Sequence, residues 1–211
     1  MNAMPARSTA QWKLVVVSVL VGLGLGVITV LGQKWLDGDW DRLANSGAVW
    51  LTVAFAVGSH MPSTRWAAAA GFATLIAAVI GYYAAVPLLV EGADASVRSV
   101  AIWLGPAIGG GPLFGAAGRW WRGVDATRSS LSTALMGGAF VAEGVYTLIR
   151  IAGPTGSQEA AGWTMLAIGL AVPVLLGHSM SERLRGSILL LPASLAGLAI
   201  FWILERVVSR V

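Results

Sequence analysis

The sequence predicts an all-α integral membrane protein, a bundle of seven transmembrane helices forming a single domain over residues 1–211. Three observations predict it. Hydrophobic residues make up 56% of the chain and charged residues only 11%, a balance that belongs to membrane proteins. The intervals between charges repeatedly reach the roughly 20 apolar residues that a helix needs to cross hydrocarbon. No stretch between those intervals is long or polar enough to make a soluble domain.

The first segment, 14–32, follows Arg7 and Lys13 as a signal peptide would. Its apolar run of about 19 residues exceeds a typical signal core and no A-x-A-like site follows it, so it reads as an uncleaved helix. The second, 45–61, is short and has Asn45, Ser46 and His60 at its ends, which leaves a re-entrant or strongly tilted element open beside a full span. The third, 66–90, carries "GYYAAVP" near its end. The fourth, 99–118, reads "SVAIWLGPAIGGGPLFGAAG". Its two prolines and triple glycine remove backbone hydrogen bonds and lower helix propensity, which predicts a kinked or broken helix facing the bundle interior. The remaining segments are 130–149, 161–177 and 187–204. Small residues recur at packing intervals, namely Ser18, Gly22 and Gly26, Gly105 with Gly109, Gly111 with Gly115, and Ala193 with Gly197. Such stripes let helix backbones approach where lipid supplies no hydrophobic drive for association.

Lysine and arginine set the expected orientation. With the N-terminus in the cytoplasm, the inner segments hold Arg7, Lys13, Arg65, Arg119, Arg122, Arg128, Arg183 and Arg185, and the outer ones Lys34, Arg42, Arg98, Arg150, Arg206 and Arg210. This excess predicts a multi-pass protein of the cell membrane with a cytoplasmic N-terminus. The net charge of +4 forms no basic patch, so a nucleic-acid partner is not expected. The partners expected are the bilayer itself and a hydrophobic small molecule; oligomeric state is not legible.

One residue breaks the apolar pattern. "LMGGAFVAEGVYTLIR", 135–150, carries Glu143 well inside a spanning segment. An ionised side chain near the bilayer centre costs about 2.5–3.5 kcal/mol on insertion scales, so this one is expected to face the interior. Met136, Phe140, Tyr146, Thr147 and Arg150 share its helical face. Two arrangements stay open. In one, Glu143 locks helices together by hydrogen bonds to Asn45, a tyrosine or Arg150. In the other it borders a chamber in the outer half, walled by Trp50, Tyr82, Tyr83, Trp103, Phe140, Tyr146 and Trp163, with Asn45 as orienter. Trp12, Trp35, Trp66, Trp120, Trp121 and Trp202 are expected in the interfacial belt.

A carboxylic acid kept neutral by its surroundings can donate a proton to a substrate or pass one along a transport cycle. The first possibility is a proton-initiated isoprenoid cyclase, whose aromatic walls would stabilise a carbocation through their ring faces. The exposed "DGDWD" carboxylates, Asp37, Asp39 and Asp41, are candidates for a second acid group there. The second is a small proton-coupled transporter of a hydrophobic or cationic solute, with a broken helix as its moving part. No cofactor and no metal is expected. The chain has no cysteine; His60 and His178 have no ligand partner at metal-binding spacing; and no D-D-x-x-D, H-E-x-x-H, P-loop or dinucleotide motif occurs. Lys13 and Lys34 flank the first helix, which leaves no Schiff-base lysine for retinal. "GPTGSQ", 153–158, reads as a loop turn because its serine has no neighbouring base.

"LGQKWLDGDWDRLANSGAVWLTVAFAVG", "AVIGYYAA", "GGGPLFGAAGRWW" and "FVAEGVY" resemble a poorly characterised group of small multi-pass membrane proteins from high-GC bacteria. That group is in turn similar to the bacterial membrane-bound terpene cyclases of indole-sesquiterpenoid (drimentine-like) pathways. The resemblance implies metal-independent, proton-initiated cyclisation of a farnesylated aromatic or polyprenyl substrate within the bilayer. It assigns no catalytic residue.

Overall fold

Apolar runs flanked by capping residues fold, in the computed structural model, into helices joined by short connections. The structure describes residues 6–36, 38, 40–90, 97–152 and 158–210. The helices are α1 (Ala6–Trp35), α2 (Trp40–Ala44), α3 (Gly47–Ser59), α4 (Thr64–Leu89), α5 (Val97–Trp121), α6 (Ala126–Tyr146), α7 (Glu159–Leu176) and α8 (Met180–Arg210). A five-residue π-helical turn, Thr147–Ile151, extends α6. Asp37, Asp39, Glu91, Asp94 and the 153–157 part of the expected loop turn lie outside the described residues.

Side-chain caps start three helices. Ser46 accepts from the Val49 N–H at 3.2 Å, Ser63 from Trp66 at 3.4 Å, and Asp125 from Thr127 and Arg128 at 3.0 and 3.2 Å. Each satisfies one or two of the N–H groups that a first helical turn leaves unbonded.

Among the described residues, six helices are long and apolar enough to cross a membrane: α1, α4, α5, α7, α8, and α6 with its π turn. The short second segment differs from the rest. It is split into the five-residue α2 and the 13-residue α3, with Asn45 and Ser46 between them. A helix break is therefore found in the second segment, whereas the fourth, expected to be kinked or broken, is not broken. Helical structure runs without interruption through Pro106 and Pro112 of α5.

The glycines of α5 serve close approach instead. A methyl group added at Gly118 would overlap the Phe55 carbonyl oxygen of α3, and one at Gly115 would overlap the Ala67 carbonyl of α4. The stripe on α1 acts alike: Gly22 lies on Thr74 and Ala77, Gly26 on Ala78 and Tyr82. These pairings ascend together, so α1 and α4 run parallel. α5 is antiparallel to α4, with Gly111 on Gly71 and Gly115 on Ala67, and parallel to α3, with Gly110 on Leu51 and Gly118 on Phe55. In the second half Gly137 meets Gly169, Gly138 meets Ala193, and Gly197 meets Ala142, which makes α7 antiparallel and α8 parallel to α6.

These directions sort the charges. Lys13, Arg65, Arg119, Arg122, Arg128, Arg183 and Arg185 share one end of the bundle with Asp125 and Glu182; Lys34, Arg42, Arg150 and Arg206 share the other with Asp41, Glu159 and Glu205. We call the first the basic end.

Gly118→Val should destabilise the protein by about 1–3 kcal/mol through forced separation of α3 and α5. Gly105→Ala, at a position with no neighbour within 4 Å, should leave it unchanged. Thermal unfolding in detergent, followed by size-exclusion chromatography, distinguishes the two.

Candidate functional site

The split between α2 and α3 leaves the N-terminus of α3 inside the bundle, and Glu143 of α6 closes it. The carboxylate is 2% exposed. Its Oε2 accepts from the Ala48 N–H at 2.8 Å and the Ser46 hydroxyl at 2.9 Å; its Oε1 accepts from the Gly47 N–H at 3.3 Å. Arg42 of α2 brings its guanidinium to 3.8 Å from Oε1. Every polar neighbour thus presents a hydrogen or a positive charge, a set that matches a carboxylate. The N-terminus of α3 adds the positive end of its helix dipole, worth about 0.3–1 kcal/mol at a surface and up to ~2 kcal/mol where water is partly excluded.

Ser46 has two roles, since its oxygen accepts from Val49 while its hydrogen goes to Glu143. Asn45, the expected orienter, precedes it; its own N–H donates to the Asp41 carbonyl, and the side chain that orients the acid is Ser46. The expected cation is also replaced. Arg150 forms an ion pair with Glu205 and lies 5.1 Å from the Trp202 ring centroid, so Arg42 is the charge beside Glu143. Of the two sequence-level arrangements, the hydrogen-bonded lock between helices is the one observed for Glu143.

The expected aromatic wall divides into separate groups. Trp50 meets Tyr82 edge-on at 6.2 Å and Trp103 at 6.0 Å, and Tyr82 meets Tyr83 at 5.0 Å and 84°. The Trp50 indole N–H donates to Thr29 at 3.1 Å, which ties α3 to α1. Phe140 is buried in the same apolar cluster. Tyr146 instead stacks on Phe201 of α8 at 5.0 Å. Trp163 is 59% exposed and donates to Glu159, as a belt residue does. Trp12 and Trp35 also face outward, whereas Trp121 is drawn inward, stacked on His178 and against Phe55.

Beside the Trp50 group, an open groove of about 510 Å³ lies between the ends of α1 and α4. Its polar side is Gln33, Lys34 and Tyr82, and its apolar side includes Val30, Val86 and Leu89. Gln33 hydrogen-bonds the Tyr82 hydroxyl, and Lys34 donates to the Leu89 carbonyl at 3.1 Å.

Ser46, Arg42 and the Gly47 and Ala48 amides were not legible as partners of the acid. Serine before an apolar run is a readable helix-start signal. Nothing local joins it to a residue 97 positions away. Among the described residues no group of three or more His, Asp or Glu could hold a metal ion.

Removing the acid should leave the Ser46 hydroxyl and the Ala48 N–H buried without an acceptor, at about 1–3 kcal/mol each when uncompensated, and deprive the part-buried Gly47 N–H of its partner as well. Glu143→Ala is therefore expected to destabilise more than Ser46→Ala, and the Ser46→Ala/Glu143→Gln double variant to lose less than the sum of its singles. Chemical unfolding in mixed micelles measures all of these; strict additivity would mean the two residues do not interact. No curated protein and no solved structure matches the chain. One family model matches residues 5–207, nearly its whole length, and the chain accordingly belongs to that family, a family of unknown function (DUF6518).

Proposed function

We propose that this protein is a small proton-coupled carrier of a hydrophobic or cationic solute, in which Glu143 takes up and releases the coupling proton. One observation carries the reading: the intramembrane acid closes the N-terminus of a discontinuous helix. Broken helices whose buried ends meet charge are the moving and ion-binding parts of many transporters. Adding a proton to Glu143 turns an acceptor into a donor. It removes the attraction to Arg42 and to the helix dipole, and with it part of what holds α3 against α6. The acid thereby couples its own charge to the seating of α3, a two-state element of the kind a transport cycle needs.

In this reading α2 and α3 together form the remaining crossing. The parallel course of α1 and α4 supports a return of the chain between them across the bundle. On this reading the chain makes seven crossings, with the N-terminus in the cytoplasm beside the basic end and the C-terminus outside. The chain has no native cysteine, so single cysteines at Asn2 and Ser209 can be labelled unambiguously in intact cells. An impermeant maleimide should reach the second and not the first. Labelling of both from the same side would exclude an odd number of crossings.

A second reading, a metal-independent cyclase acting on a farnesylated aromatic or polyprenyl substrate, is supported by Trp50, Tyr82, Tyr83 and Trp103 gathered beside an open groove. Such faces suit a developing carbocation. The hydrogen bonds of Glu143 run to α3, however, and a general acid must direct its proton at the substrate. This is why the carrier reading leads.

The two readings separate in one pair of assays. Proteoliposomes with an imposed pH gradient should accumulate ethidium, a hydrophobic cation, above the level of empty vesicles, and Glu143→Gln should return uptake to that level. Detergent-solubilised protein incubated with 3-farnesylindole and a chelator should leave it unchanged; an isomer of equal mass would establish cyclisation instead.

A further inference from the structure

The two oxygens of Glu143 are unequally served. Oε2 takes two short hydrogen bonds, from the Ala48 N–H and the Ser46 hydroxyl. Oε1 has only the Gly47 N–H at 3.3 Å, with the Arg42 guanidinium at 3.8 Å, beyond hydrogen-bond reach. Two more buried polar atoms beside the acid have no hydrogen-bond partner among the described residues, the Nε–H of Arg42 and the hydroxyl of Thr147.

Thr147 is buried on the face of α6 that meets α3. That face runs from Met136, whose sulfur accepts from the Thr52 hydroxyl of α3, through Phe140 to Glu143. Thr147 continues it by one turn, about 6 Å further from the basic end, on the side from which α2 brings Arg42. Its hydroxyl also differs from those of Ser18, Thr52, Thr74, Ser130 and Ser194, which each donate to the carbonyl four residues back in their own helix.

From these atoms we infer that water occupies a small polar site between Glu143, Arg42 and Thr147, and that the acid exchanges its proton through it with the end of the bundle opposite the basic end. The route presupposes the carrier reading, in which Glu143 is the proton site. Water fits because the surroundings ask for both a donor and an acceptor: it can accept from the Arg42 Nε–H, donate to Oε1 and do either with Thr147. Buried water makes about three such bonds, and buried polar atoms in proteins are nearly always hydrogen-bonded. A cation there would face the guanidinium, and an anion the carboxylate.

The polar course is one-sided. Toward the opposite end it continues along α2, none of whose residues is fully buried; the Arg42 side chain is itself 22% exposed, and the adjacent Asp41 keeps a buried carboxylate oxygen without a partner among the described residues. The other charges of that end are engaged, Arg150 with Glu205 and Glu159 with the Trp163 indole. Toward the basic end the same face of α6 presents Phe140 and then Met136, packed in the apolar core with Phe55 and Phe114. Those side chains offer a proton no relay.

The test is infrared difference spectroscopy of the full-length protein in sealed liposomes, sorted to one orientation through an impermeant biotin-maleimide on a cysteine at Ser209, near the end of α8 opposite the basic end. The band of a protonated carboxyl, assigned to Glu143 by its loss in Glu143→Gln, should rise when the Ser209 side is acidified and not when only the other side is. Thr147→Val keeps the shape and removes the hydroxyl; it should slow that rise about tenfold, the effect of one lost hydrogen bond on the path. Thr147→Ser should restore the rate, and Thr52→Val, which removes a hydroxyl on the basic-end side of the acid, should leave it unchanged. Thr147 makes no side-chain hydrogen bond to the described residues, so Thr147→Val is expected to fold, which equal melting curves check. Water-to-protein magnetisation transfer in solid-state NMR should reach Thr147 and Arg42 and not Phe140. A band that follows the pH of the basic end, an unslowed rise in Thr147→Val, or no transfer to Thr147 would each overturn the route while leaving proton coupling intact. No band after acidification of either side would mean that Glu143 keeps one charge state, and the carrier reading itself would fall.

Discussion

The contact on which the arrangement of this bundle most depends is the one between a single carboxylate and the start of a helix. Glu143 supplies α3 with the acceptors that water would supply at a surface. In hydrocarbon an unpaired N–H costs several kcal/mol, so a helix can begin inside the membrane only where protein provides such a partner. The dependence is mutual. A carboxylate in the same place is tolerated only where donors surround it, and Ser46, Gly47, Ala48 and Arg42 are those donors. Acid and break would each be costly without the other.

Around that contact the helices associate by shape. The glycines of α1, α5 and α6 place backbone against backbone, and their replacement by larger side chains would collide with carbonyl groups that cannot move independently. Short distances between helices also bring the aromatic group together. Trp50 on α3, Tyr82 on α4 and Trp103 on α5 meet because the glycine seams of α5 hold both neighbours close. The site is in this sense a product of small residues that lie outside it.

The two ends of the protein then differ in chemistry. Toward one end lie the acid, the aromatic group and a groove with mixed polar and apolar walls; the other is dominated by arginine, with its two acids already engaged. The belt is similarly divided: Trp12 and Trp35 face outward near either end of α1, while Trp121 is spent on packing against Phe55 and His178.

Much of this was legible from composition and spacing, because those signals are local. Length and hydropathy identified the helices that can cross a membrane, since each must satisfy its own backbone. The cost of charge in lipid marked Glu143 as inward-facing before any partner was known. The weakness of the second segment was also readable, in its shortness and in Asn45 and Ser46. What the sequence could not decide was which faces meet. Arg150 shares a helical face with Glu143, yet the structure gives Arg150 to Glu205 and brings Arg42 to the acid. Tyr146 goes to Phe201 and Trp163 to the surface, while Trp50, Tyr82, Tyr83 and Trp103 assemble. The prolines of α5 suggested a kink or a break there, yet its helical structure continues through both, because their effect on a helix depends on what lies beside it. The physical reason is common to all of these. Periodicity tells which residues lie on one side of a helix, but rotation and register between helices are set by contacts between residues nearly a hundred positions apart, and only the folded chain brings those together.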